Sequence, residues 1–103
     1  SDGFQELDIL VKGRYMPDVV RVIRGIPVRL RFKREEDTQC SEQVIFSEFC
    51  GGVRLPAYRT TLVRFTPTRC GEFFFTCALG MYHGRLLVVP PSRRDLARIG
   101  GNR

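Results

Sequence analysis

Tryptophan is absent from this chain of 103 residues, histidine occurs once, as His83, and methionine twice, as Met16 and Met81. With a single imidazole the chain has few ways to build a general base. No serine or cysteine stands beside a convincing base partner, and no glycine loop leads into a phosphate-binding helix. No enzymatic activity is therefore expected of this chain itself. Long apolar runs are missing too: Phe73 to Phe75 and Leu86 to Val89 fall far short of the roughly 20 residues a membrane-spanning helix needs. No membrane span is expected. Ser1 opens the chain without a methionine or an apolar leader, which leaves its location to be read from the cysteines.

Acidic residues are in the minority, 11 against 17 Lys and Arg, for a formal charge of +6. That balance invites a nucleic-acid reading. The pattern argues otherwise. Arg29, Arg31 and Lys33 alternate with Val28, Leu30 and Phe32, as the solvated face of a strand does, and Arg69 to Phe75 lacks the glycine and aromatic order of an RNA-stacking strand. Nucleic acid is not the expected partner.

Helical periodicity is also nearly absent; the recurring period is two, and the apolar content of 43% suffices for one continuous core. Strands are expected near Glu6–Val11, Val19–Arg24, Pro27–Lys33, Gln43–Ser47, Val53–Leu55, Thr60–Thr66, Glu72–Cys77 and Arg85–Val89, punctuated by Gly13 with Pro17, Arg24-Gly25, the polar run Glu35 to Ser41, Gly51-Gly52, Pro56-Ala57, Pro67 with Gly71, and Gly80 with Gly84. This is the pattern of an all-β sandwich of about seven to eight strands. Residues 1–89 are read as that domain, and 90–103, rich in Pro and Arg, as a linker or tail.

If the strands run alternately up and down, parity sorts the loops onto two poles. One pole collects Met16, Cys40, Glu42, Cys77, Met81 and His83; the other holds Cys50 and Cys70 and no other soft ligand. A structural disulfide is the plain reading of Cys50 with Cys70. It would close a loop of about twenty residues and contribute roughly 3 kcal/mol in the chain-entropy model, and it would imply an oxidising compartment. At the first pole the thiol and thioether donors Cys40, Cys77 and Met81 suit cuprous copper, while His83 and Glu42 widen the choice to cupric copper or zinc. Residue pattern alone leaves alternatives open: a second disulfide between Cys40 and Cys77, Met81 as a core plug, and His83 as an exposed loop residue.

The stretch from Gly71 through Glu72-Phe-Phe-Phe-Thr-Cys77-Ala-Leu-Gly-Met81-Tyr-His83 to Val89 resembles the closing part of a cupredoxin. Phe73 and Phe75 alternate toward a core, Cys77 ends that strand on the same face, and a methionine loop precedes the last strand. Tyr15-Met-Pro17, Gly25-Ile-Pro-Val28, Asp37-Thr-Gln-Cys-Ser-Glu42, Val44-Ile-Phe46, Leu55-Pro56 and Phe65-Thr-Pro67 follow in the order seen in cupredoxin-like domains of bacterial exported proteins and of heavy-metal transport ATPases. The resemblance covers about Gly13 to Val89 and implies a Greek-key cupredoxin-like sandwich.

It further implies a copper site at Cys77, Met81 and Cys40. The subgroup's loop usually reads Cys-Gly-Met-x-Met, and here Ala78 and Leu79 replace its first glycine and middle methionine. A blue-copper centre uses two histidines, so one chain with only His83 does not build it. Glu42 stands where plastocyanin-like proteins begin a strand with their first histidine ligand, and a red-copper cupredoxin uses glutamate there. The resemblance thus implies binding or delivery of Cu(I), favoured over Cu(II) and over zinc, with His83 or Glu42 completing the site. The partners it implies are copper ion and a copper-transporting ATPase or redox protein, and the location it favours is extracytoplasmic, with a cytoplasmic transporter domain as the other option. The competing functions are an electron-transfer centre of Cys77, His83, Glu42 and Met81, and a metal-free interaction module held by disulfides.

Overall fold

From Val28 to Arg34 every second side chain is buried, Val28, Leu30, Phe32 and Arg34 in turn, while the residues between them lie outside the core. That alternation is what a pleated strand with one covered face requires. In the computed structural model, which describes residues 3–46, 48–49 and 51–95, the same rule builds nine strands among the described residues: β1 (Gln5–Val11), β2 (Tyr15–Met16), β3 (Val19–Ile23), β4 (Val28–Arg34), β5 (Gln43–Phe46), β6 (Gly51–Arg54), β7 (Thr60–Phe65), β8 (Gly71–Cys77) and β9 (His83–Val89). All eight expected strands are present, their ends displaced by about one or two residues. The two-residue β2 is additional; it is too short to show a period and exists by pairing with the end of β1.

Two sheets form, ordered β2-β1-β4-β7 and β3-β9-β8-β5-β6. Most neighbours are antiparallel, but β1 with β4 and β3 with β9 are parallel. Among the eight longer strands direction still alternates, because β1 and β4, and β3 and β9, are each an even number of strands apart once the two-residue β2 is set aside; β2, antiparallel to β1, is the exception. The loops accordingly gather at two ends, as hydrogen bonds between them show. At one end Gln5 Nε2 donates to the carbonyls of Ile23 and Ile26, and Gly25 N donates to Pro67 O. At the other, Gly13 N reaches Glu36 and Arg34 reaches Leu55 O.

Between the sheets lie Ile9, Val11, Leu30, Phe32, Val44, Phe46, Phe75 and Leu86, all essentially inaccessible. Burying each contributes about 2 kcal/mol. The aromatic members pack in mixed geometries: Phe32 meets Phe75 and Phe46 edge-on with ring centroids 5.9 Å apart in each case, Phe46 stacks on Phe75 at 5.1 Å, and Tyr15 lies tilted 5.2 Å from Phe75. This aromatic layer runs up to the pole that carries Cys77.

Candidate metal centre

Cys77 is the last residue of β8 and continues the inward phase of Phe73 and Phe75, which leaves it only 1% exposed. Beyond it the chain turns sharply: Gly80 N donates to Cys77 O at 3.0 Å, Cys77 N donates to Tyr82 O at 3.1 Å, and Gly80 takes the φ of +73° that glycine adopts without strain. This turn folds two amides over the side chain. The Cys77 sulfur accepts from Met81 N at 3.0 Å and from Tyr82 N at 3.1 Å. Two N–H donors fix the sulfur and suit one that carries negative charge, as a metal-bound thiolate does.

Cys40 comes from the neighbouring strand's entry. It sits in a short 3-10 turn, Gln39–Ser41, capped by the Thr38 side chain, which accepts from Cys40 N at 3.0 Å. Two residues after that turn β5 begins, and its Val44 is the direct partner of Cys77. Both thiols therefore belong to one end of one sheet.

Beneath the turn lies a polar scaffold with no counterpart in the sequence reading. The buried Arg34 guanidinium donates from Nε to Ser41 Oγ at 2.8 Å, from Nη1 to Leu55 O at 2.7 Å, and from Nη2 to Thr38 O. The half-buried Glu36 carboxylate accepts from Gly13 N at 2.7 Å, from the Tyr82 hydroxyl at 2.7 Å and from Ser41 Oγ. Burial pushes the Glu36 carboxyl up, but the bonds from Ser41, Tyr82 and Gly13 together with the Arg34 charge outweigh it and hold its pKa below the ordinary value. Tyr82 moves the opposite way. Burial first, then its bond to Glu36 and that carboxylate's charge, push its hydroxyl up to about 12, with Cys40 adding in the same direction. Arg34 was legible in principle, since the phase that buries Val28, Leu30 and Phe32 continues to it. Glu36 carried no such signal.

The remaining candidates divide. Met81 presents its amide to Cys77, but its side chain is 66% exposed, on a thioether stem with several rotatable bonds. It is therefore not a core plug. His83 opens β9 directly opposite Thr76, and residues paired across strands share a face. Thr76 and Cys77 are consecutive on β8 and face oppositely, so His83 points to the outer side of the sheet, away from the Cys77 sulfur. Glu42 is exposed just after the 3-10 turn. Among the described residues no three His, Cys, Asp or Glu side chains gather closely enough to hold a metal. The soft donors that belong to this pole are Cys40, Cys77 and Met81, a combination of types suited to cuprous copper.

Among the described residues no disulfide is seen. Cys40, Cys70 and Cys77 are free thiols among the described residues, and Cys50, the expected partner of Cys70, lies outside them. Cys70 is exposed at the far pole, with Arg24 Nη1 3.7 Å from its sulfur. Tyr15 opens the Tyr15-Met-Pro17 motif and is buried beside this site. Its buried hydroxyl has no hydrogen-bond partner, and burial, then the charges of Cys77 and Tyr82, push its pKa up.

Residues 2–88 match the family model described as a cupredoxin-like domain. Among solved structures, the chain is similar to a copper binding protein determined in the apo form, with 32% identity, a TM-score of 0.82 and coverage of 86% of this chain and 91% of that one. It is also similar to the metal binding domain of the Cu(I)-exporting P-type ATPase CopA of Streptococcus pneumoniae, solved with Cu(I), with 27% identity, a TM-score of 0.83 and coverage of 86% and 89%. Auracyanin B shares the fold, with 12% identity, a TM-score of 0.66 and coverage of 84% and 89%. No curated protein matches the chain.

Proposed function

The chain belongs to the cupredoxin-like domain family, and from that premise we propose that it binds cuprous copper through Cys77, Cys40 and Met81 at one pole of the sandwich. The observation that carries this reading is the Cys77 sulfur, buried at a strand end and held by the amides of Met81 and Tyr82, with a second thiol on the turn that enters the adjacent strand. The copper binding protein and the Cu(I)-bearing ATPase domain among its structural neighbours support the choice of metal. So does donor chemistry: two thiolates and a thioether hold a soft ion better than a hard one. A bound copper ion would supply thiophilic, low-coordinate bonding, and the chain's part is to fix one sulfur, carry the second on a braced turn and leave Met81 at the surface where a donor or acceptor protein reaches it. Such a partner is a copper-transporting ATPase or another copper carrier. Residues 90–103 are read as a linker or tail, of which 96–103 lie outside the described residues.

The redox alternative is less well supported, because His83 faces away from Cys77 and no mixed cluster with Glu42 is assembled among the described residues. Native mass spectrometry of the reduced chain after anaerobic exposure to Cu(I) tests the proposal, with Cys77→Ser run alongside. One retained copper in the parent and none in the variant is expected. A parent that retains no copper, or a variant that retains it equally, overturns the reading.

A further inference from the structure

Tyr82 touches both thiol-bearing loops with different ends of one residue. Its amide donates to the Cys77 sulfur at 3.1 Å. Its hydroxyl, on a side chain packed edge-on against Tyr15 with centroids 5.5 Å apart, donates to Glu36 at 2.7 Å, and Glu36 in turn accepts from Ser41, the residue next to Cys40. The same carboxylate holds Gly13 N in the turn before β2, and Arg34 ties the 3-10 turn to Leu55 O and Thr38 O. Three loops are thereby joined through one phenol–carboxylate bond.

The rest of the Cys77 to Tyr82 loop is held by backbone bonds within the loop and to the Cys77 sulfur, and among the described residues its side chains make no bond with the Cys40 turn. Ala78, Leu79, Gly80 and Met81 are all exposed, so the loop that presents Met81 is anchored at its far end by Tyr82. Arg34 braces the Cys40 turn from inside, whereas the Tyr82 hydroxyl, bonded to Glu36 and near the Thr38 side chain that caps the turn, braces it against the Met81 loop.

We propose that Tyr82 is a positioning residue, a clasp whose hydroxyl bond to Glu36 sets the spacing of the Cys40 turn and the Cys77–Met81 loop and thereby controls how long the pole retains a bound soft metal ion. The inference rests on the copper reading above for its ligand. The clasp itself is a property of the apo chain. Opening it needs no unfolding of the sandwich, because the hydroxyl bond lies outside the strand pairing. A partner that withdraws the phenol from Glu36 would free the Met81 loop and release the ion, whereas a closed clasp retains it.

The test compares the full chain with Tyr82→Phe, which keeps the ring and the amide and removes only the hydroxyl. Two quantities are read: amide hydrogen exchange at Cys40, Ser41 and Met81 in the metal-free protein, and the rate at which Cu(I) passes to an excess of bicinchoninate under anaerobic conditions. Faster exchange at those three amides and roughly tenfold faster copper release, equivalent to about 1.4 kcal/mol, are expected of Tyr82→Phe. Glu36→Gln keeps a carbonyl acceptor but not the charge, so it should shift both readouts in the same direction and by less, and the double variant should match Tyr82→Phe, in which the clasp is already open. Gln5→Ala, which loosens the opposite pole through its lost bonds to Ile23 and Ile26, should leave both readouts unchanged. Unaltered exchange and release in a folded Tyr82→Phe overturn the clasp. Copper release accelerated as much by Gln5→Ala reduces it to general stability and also overturns it. If the parent retains no Cu(I), the copper reading fails, while the exchange measurement still decides whether the loops are clasped.

Discussion

Gly84 lies directly under the ring of Phe75: a Cβ at position 84 would come within 2.2 Å of Phe75 Cζ and 2.3 Å of Cε2. The two residues are cross-strand partners on β9 and β8, and Phe75 is two residues from Cys77 on the same inward face. The glycine is required there by the space that the ring fills, since its φ is not of the left-handed kind. Gly84→Ala is expected to displace Phe75 from the aromatic layer and to cost about 2 kcal/mol or more, read as a lower midpoint in urea denaturation. An unchanged midpoint would mean that the ring has another place to go.

Removal of the buried guanidinium at Arg34 takes a donor from Leu55 O, Ser41 Oγ and Thr38 O, the last of which keeps its bond from Ser41 N. Arg34→Met retains the apolar stem and should cost about 3 kcal/mol, again by denaturation. Exchange at the Cys40 amide should rise along with it. A loss within a few tenths of a kcal/mol would show that water replaces the arginine at no cost.

Copper retention should sort the candidate ligands by donor type and by face. Cys40→Ser and Met81→Ala are expected to weaken Cu(I) retention in competition with a chelator, each by about tenfold or more, whereas His83→Ala leaves it unchanged because the imidazole faces the outer side of the sheet. A large loss in His83→Ala would put the redox reading first.

The pH dependence of stability follows from Glu36 and Tyr82. In the folded protein Glu36 binds its proton less tightly than its ordinary value of 4.5, so its contribution is fully present above about pH 4.5 and is lost as pH falls through the lower folded value. Glu36→Gln should therefore flatten the acid limb of the stability curve. Tyr82 is raised from 10.0 to about 12, so its contribution is intact below pH 10 and lost as pH rises through about 12. Denaturation midpoints across both ranges, for the parent and the two variants, check the signs.

The free thiols should differ in reactivity. Cys70 is exposed beside Arg24 and Cys77 is buried, so brief treatment of the native, unreduced protein with a maleimide should modify Cys70 first and Cys77 only on unfolding. A Cys70 that reacts only after reduction would restore the Cys50–Cys70 bridge expected from sequence.

Much of this architecture was determined by the sequence alone, because strand periodicity is local. Alternation along Val28–Lys33 and Glu72–Cys77 placed the core face, glycines and prolines marked the turns, and parity then brought Cys40, Cys77 and Met81 to one pole and Cys70 to the other. What only the tertiary structure decided depends on register and on which strands become neighbours. The pairing of β9 with β8 turned His83 away from Cys77, although six residues separate them in the chain. The bond between Tyr82 and Glu36 joins residues 46 positions apart, and the partners of Arg34, Leu55 O from 21 residues on and the folded-back turn of Thr38 and Ser41, were set by the fold, although its inward phase was not. A period-two pattern states which face a side chain takes; it carries no information about what the folded chain sets against that face.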